Sequence, residues 1–200
     1  MKQGTTLPVE SHKSQAVIEK YGNLESAIAR LAPTTIQNAI YKHSIKSNKQ
    51  AFLTDSISLS KFAMAYSKDA CYALIELWIY ELSEFVGVNG KITQLQVQQL
   101  ANMIYSEAYT LNFAEFGLFF TRIKKGYYGE FYGNVDPIKI MTFLEQYLTE
   151  RAKSIEELNK EKDQENKRAD FQSYLNTKLT DEQRMEITEI MNNFIKQVKR

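Results

Sequence analysis

The chain has 200 residues, 44% hydrophobic and 24% charged, enough to bury a core of its own. With 25 basic and 24 acidic side chains the formal net charge is +1, so nucleic acid can be bound only through a local patch, not through bulk charge. One cysteine, Cys71, excludes an internal disulfide, and two histidines, His12 and His43, are too few for the usual zinc ligand sets.

The opening MKQGTTLPVESHKSQAV lacks the apolar run of a signal peptide. No stretch approaches the roughly 20 apolar residues that span a bilayer. The expectation is a soluble protein of the bacterial cytoplasm, without membrane contact, metal or cofactor.

Only three prolines interrupt the chain, and apolar positions recur at three- and four-residue spacing, which predicts an all-α, multi-helix bundle. Residues 1–13 read as a flexible tail and 14–50 as short N-terminal helices. Of these, Gln15–Tyr21 is closed by Gly22, the next runs from the cap Asn23 to Leu31, and a third starts at Thr34 or Thr35 and reaches His43. The polar segment Ser44–Ser60 reads as a loop or a fraying helix end. A core domain is expected over 51–155. Its central helix, from about Leu59 to Val86, would turn Phe62, Tyr66, Ala70, Ala73, Leu74, Leu77, Trp78, Leu82 and Phe85 inward.

Thr93 and Gln96 have capping-box spacing for a helix from Gln94 to about Tyr109, and Asn112 and Glu115 repeat it for Phe113–Lys124. Gly126 is the glycine expected just past that helix. In YYGEFY, a Gly-Glu pair between aromatic dipeptides suits either a two-residue hairpin or an irregular loop. Asp136 before Pro137 is a strong helix start. The helix launched there carries Ile138, Met141, Leu144, Tyr147 and Leu148, then becomes a charged helical spacer over 156–179. Thr180 and Gln183 cap a last amphipathic helix over 180–200.

That last helix carries a candidate partner-binding stripe, Met185, Ile190, Met191, Phe194, Ile195 and Val198, which must fold back, pair with a copy of itself or bind another protein. The glycines Gly126, Gly129 and Gly133, with Asp136, form a candidate structural loop; they lack the strand–glycine–helix context of a nucleotide cradle. Arg122, Lys124 and Lys125 beside Tyr127, Tyr128 and Tyr132 are candidate nucleic-acid-binding residues, since cations neutralise phosphates and flat rings stack on bases for about 1–3 kcal/mol each. The alternative is that the rings plug a joint between helices while the cations cap a helix end. Glu76, Glu81 and Glu84 read as a solvated helix face rather than acid/base groups. No catalytic residue emerges, and the chain reads as non-enzymatic.

The segment from Lys91 to Arg151, with ITQLQVQQLANMI, the RIKKG run and YYGEFYGNVDPIKIM, resembles a family of small helical proteins in phages and mobile elements of Bacteroidetes-type bacteria. The matching positions are Lys125, Gly126, Tyr128, Gly129, Tyr132, Gly133 and Asp136. The layout is also loosely similar to helical modules of helicase loaders and primosome accessory proteins. These resemblances imply an accessory protein acting through protein contacts and local single-stranded DNA contact, with a packaged virion protein as the alternative; neither brings a catalytic residue.

Overall fold

A computed structural model describes residues 12–87, 92–131, 135–178 and 180–198. Among them the fold is all-α: α1 (His12–Tyr21), α2 (Leu24–Leu31), α3 (Pro33–Lys42), α4 (Asn48–Leu53), α5 (Leu59–Ala65), α6 (Lys68–Val86), α7 (Gln94–Ala108), α8 (Phe113–Lys124), α9 (Pro137–Lys178) and α10 (Asp181–Val198). The chain divides into two compact units with the boundary between Ser154 and Ile155. No helix among the described residues is long and apolar enough to cross a membrane.

The first unit is organised around α8. Every residue from Phe113 to Ile123 except Arg122 is buried, and Phe116, Phe119 and Phe120 form edge and tilted ring contacts with Trp78 and Tyr147. Fully burying such rings contributes about 1.5–3 kcal/mol apiece. Trp78 donates its indole N–H to the Leu31 carbonyl at 3.2 Å, satisfying the polar edge of a fully buried ring. Gly117 lets α3 come close: a Cβ there would lie 2.4 Å from Ile36 Cγ2 and 2.8 Å from Ile40 Cδ1.

Two expectations about this unit are corrected. The segment Ser44–Ser60 is neither a loop throughout nor a fraying helix end, because Ser47 and Gln50 complete a capping box that starts a separate helix, α4. Nor is Leu59–Val86 one helix. It breaks at Tyr66 and Ser67, where Ser67 is extended and its hydroxyl caps the Ala70 N–H at 3.0 Å. The restart resets the helical phase, so α6 buries Cys71, Leu74, Ile75, Trp78, Ile79, Leu82 and Ser83, while Ala73, Leu77 and Phe85, expected inside, are exposed. Smaller shifts are the start of α1 at His12, of α3 at Pro33 and the end of α7 at Ala108.

The α4–α5 and α7–α8 connections are tied together. Ser58 and Asn112 form an isolated antiparallel bridge, with Leu59 N–H donating to Leu111 O at 3.0 Å and Phe113 N–H to Ile57 O at 3.0 Å. The second unit consists of the α9 residues beyond Ser154 and α10. Thr180 caps α10: its N–H donates to Gln183 Oε1 at 3.1 Å and its hydroxyl accepts from Gln183 N–H at 3.5 Å.

Candidate functional site

The end of α8 is a Schellman turn. Gly126, at φ +68°, donates to Ile123 O at 2.9 Å, and Tyr127 donates to Arg122 O at 3.0 Å. Gly129, at φ +125°, lies where side chains are strained, and its N–H returns to Gly126 O at 3.1 Å. These bonds use the backbone that a hairpin needs, and no strand forms over Tyr127–Phe131. The rings decide the path instead: Tyr128 stacks on Phe143 of α9 at 5.7 Å, and Phe131 meets the same ring edge-on at 5.7 Å. Burial pushes the Tyr128 phenol up to about 12, although Arg122 beside it acts in the opposite direction. Asp136 accepts from Ile138 N–H at 2.9 Å and so caps α9. Tyr132 and Gly133 lie outside the described residues.

The candidate cations separate into two kinds. Arg122 is built in: its guanidinium donates to Asn48 Oδ1 at 2.8 Å, Glu150 Oε2 at 3.0 Å, the Tyr128 hydroxyl at 3.3 Å and Lys46 O at 3.3 Å. It also lies 5.0 Å from the Tyr127 ring centre. Lys124, its side chain 8% exposed, pairs with Glu81 and donates to Gln37 Oε1 at 3.0 Å. Glu81, expected on a solvated face, is half-buried as that partner. Lys125 is different. It is exposed, its ammonium 5.3 Å from the ring of Tyr41, which is itself 57% exposed.

Sequence reasoning missed what α3 and α4 bring to the same place. Residues 41–50 contain Lys42, Lys46 and Lys49 and no acid, and residues 121–129 contain Arg122, Lys124 and Lys125 and no acid. The Arg122 bonds to Lys46 and Asn48 and the Lys125–Tyr41 contact hold these segments side by side. Lys42, His43, Lys46, Lys49 and Lys125 are exposed there, with Tyr41 and Tyr127 offering open rings. The only sequence signal was the seven basic against three acidic residues of the first fifty. Geometrically the face has the ingredients for phosphate contact and base stacking.

Beneath it runs a buried polar web. Glu115, 1% exposed, accepts from Arg151 Nε at 2.6 Å and from the Asn112 N–H at 3.0 Å. Asn112 in turn donates to Ala51 O at 3.1 Å. The Tyr147 hydroxyl is buried without a hydrogen-bond partner among the described residues, and burial raises its phenol well above the usual value. Cys71 is buried and its thiol is pushed up to about 12. Among the described residues, no group of three His, Cys, Asp or Glu side chains is arranged to hold a metal ion.

The α10 stripe lies open. Met185 is 75%, Ile190 61%, Met191 38% and Phe194 66% exposed; the side chains of Ile195 and Val198 lie outside the described residues. Residues 91–193, about half of the chain, match the model of a family of unknown function, DUF6633. No curated protein and no solved structure matches.

Proposed function

The chain belongs to the DUF6633 family, and we propose that it is a non-enzymatic accessory protein of a phage or mobile element that contacts single-stranded DNA during replication. The observation that carries the reading is the neighbouring of two acid-free segments, with Lys42, Lys46, Lys49 and Lys125 exposed around Tyr41 and Tyr127. Lysines there neutralise phosphates and the open rings take bases. Arg122 and Lys124 serve it indirectly, as the fixed joint that holds the two segments together. The phage or mobile-element setting is supported by the resemblance of residues 91–151 to that family of small helical proteins, and the replication setting by the loose similarity of the layout to helical modules of helicase loaders and primosome accessory proteins. The non-enzymatic reading is supported by the structural employment of reactive groups: Glu81 and Glu115 are consumed by Lys124 and Arg151, and the Cys71 thiol is held protonated.

Fluorescence anisotropy with labelled single-stranded DNA tests this across a salt series. Three phosphate contacts, from Lys42, Lys46 and Lys125, give a log–log salt slope of about −2. Lys46→Glu/Lys125→Glu is expected to weaken binding at least tenfold, about 1.4 kcal/mol, and to flatten the slope without lowering stability. Absence of low-salt binding by wild type, or equal binding by the variant, refutes the DNA role. A second reading, a structural or packaged virion protein, is favoured by the open stripe of α10. Both readings include a protein partner for that stripe.

A further inference from the structure

We infer that the groove between α1 and α5 is a binding site for a small amphipathic monocarboxylate, an apolar body carrying one anionic head. The inference goes beyond the proposed role and is independent of both the DNA face and the α10 stripe.

The helix α1 is tied across the groove at two points and stands apart between them. Ser14 donates its hydroxyl to Met64 O at 3.4 Å, and the Tyr21 hydroxyl accepts from Ile57 N–H at 3.1 Å. Ala16, Ser56 and Ser60 are too small to fill the space between these ties, and about 650 Å³ is left open. That volume lies within the range of about 300–1,000 Å³ typical of small-molecule pockets. Because the ties are made by the protein alone, the groove stands formed before a ligand arrives, which lowers the ordering cost of binding. Val17, Ile57 and Met64 give it apolar walls. Met64 is 64% exposed, and a hydrocarbon body lying on it would remove that surface from water.

The charged groups that line the groove define the head. Lys20 comes from α1, Lys61 from α5 and Asp55 from the segment between α4 and α5. The Lys20 ammonium donates to Asp55 Oδ1 at 2.7 Å and to Asp55 O at 3.4 Å, which leaves its third N–H for a ligand oxygen. The Asp55 side chain is 93% exposed, so this pair contributes little to stability and Lys20 can be shared with a ligand at small cost. Lys61 is exposed. Two cations against one acid leave the groove with a charge of +1, and Glu19, the acid of α1, does not line it. One carboxylate matches that charge, a phosphate dianion exceeds it and a cationic head opposes it.

The test uses the full-length chain and equilibrium dialysis with radiolabelled octanoate, octanol and octyltrimethylammonium. Octanoate is expected to bind at least about tenfold more tightly than either of the others. Lys20→Gln/Lys61→Gln should weaken octanoate binding at least about tenfold and erase its advantage over octanol. Ala16 is exposed, so Ala16→Trp is expected to fill the groove, leave the urea midpoint unchanged and weaken octanoate binding at least about tenfold. Binding that survives Ala16→Trp would place octanoate elsewhere, the α10 stripe included, and overturn the inference. Equal binding of octanoate and octanol, or equal binding of octanoate by the double lysine variant and wild type, refutes the carboxylate class and the inference with it. No uptake by wild type at millimolar octanoate overturns the site outright.

Discussion

The two units invert each other. In the first, charge is buried: Glu115 and Arg151 meet beneath α8, and Arg122 and Lys124 are held by carboxylates and amides from distant helices. In the second, apolar side chains face solvent along α10 while the charged residues preceding them in α9 are exposed too. A polar group inside the first unit is a constraint on register, since each partner must arrive in place or leave a charge uncompensated. An apolar group outside the second is an interaction not yet made. The contrast teaches where to look for each property, with stability in the polar web of the first unit and association in the apolar stripe of the second.

The sharpest way to break the comparison is Glu115→Ala. It strands Arg151 and removes the acceptor for the Asn112 N–H, and should cost about 3–5 kcal/mol, read as a lower urea midpoint. A loss below about 1 kcal/mol would show the web to be incidental. Gly117→Ala should cost about 1–3 kcal/mol by driving a methyl into Ile36 and Ile40; an unchanged midpoint would mean that α3 can withdraw freely. Tyr147→Phe should be neutral or stabilising by up to about 1 kcal/mol, because it deletes a buried hydroxyl that has no partner. A clear loss would reveal a role for that oxygen. Smallest of all, Phe194→Glu should leave the unfolding of the first unit unchanged while altering association. The thiol gives a further check: Cys71 should resist disulfide-exchange reagents at pH 8 in the folded protein and react in urea, since burial holds it protonated up to about 12.

Local signals were read well where cap and apolar run agree. Asn112, Glu115 and Gly126 bracket α8 in sequence as they do in space, and Asp136–Pro137 marks the start of α9. The break before α6 was hidden because apolar residues are dense on both sides of Ser67, so the run reads as one broad face although the helical phase shifts at the restart. The Ser47–Gln50 box was present in the letters but sits in polar surroundings that suggested a loop. Of the candidate site, the residue types and the acid-free RIKKGYYG run were legible. Which cations face water was not, since the partners that withdraw Arg122 and Lys124 lie 28 to 87 positions away. Nor was the convergence of Lys42, Lys46 and Lys49 on the same surface, which depends on how α3 and α4 pack against α8.

The tie between Asn112 and the carbonyls of Ala51 and Phe52, together with the reach from Glu115 to Arg151, has a consequence for how the protein is made. On the ribosome α1 to α5 emerge long before the segments that complete their hydrogen bonds and cover their apolar faces. Closing the first unit must wait until the opening turns of α9 have left the exit tunnel, and chains arrested earlier should expose the uncovered faces to chaperones.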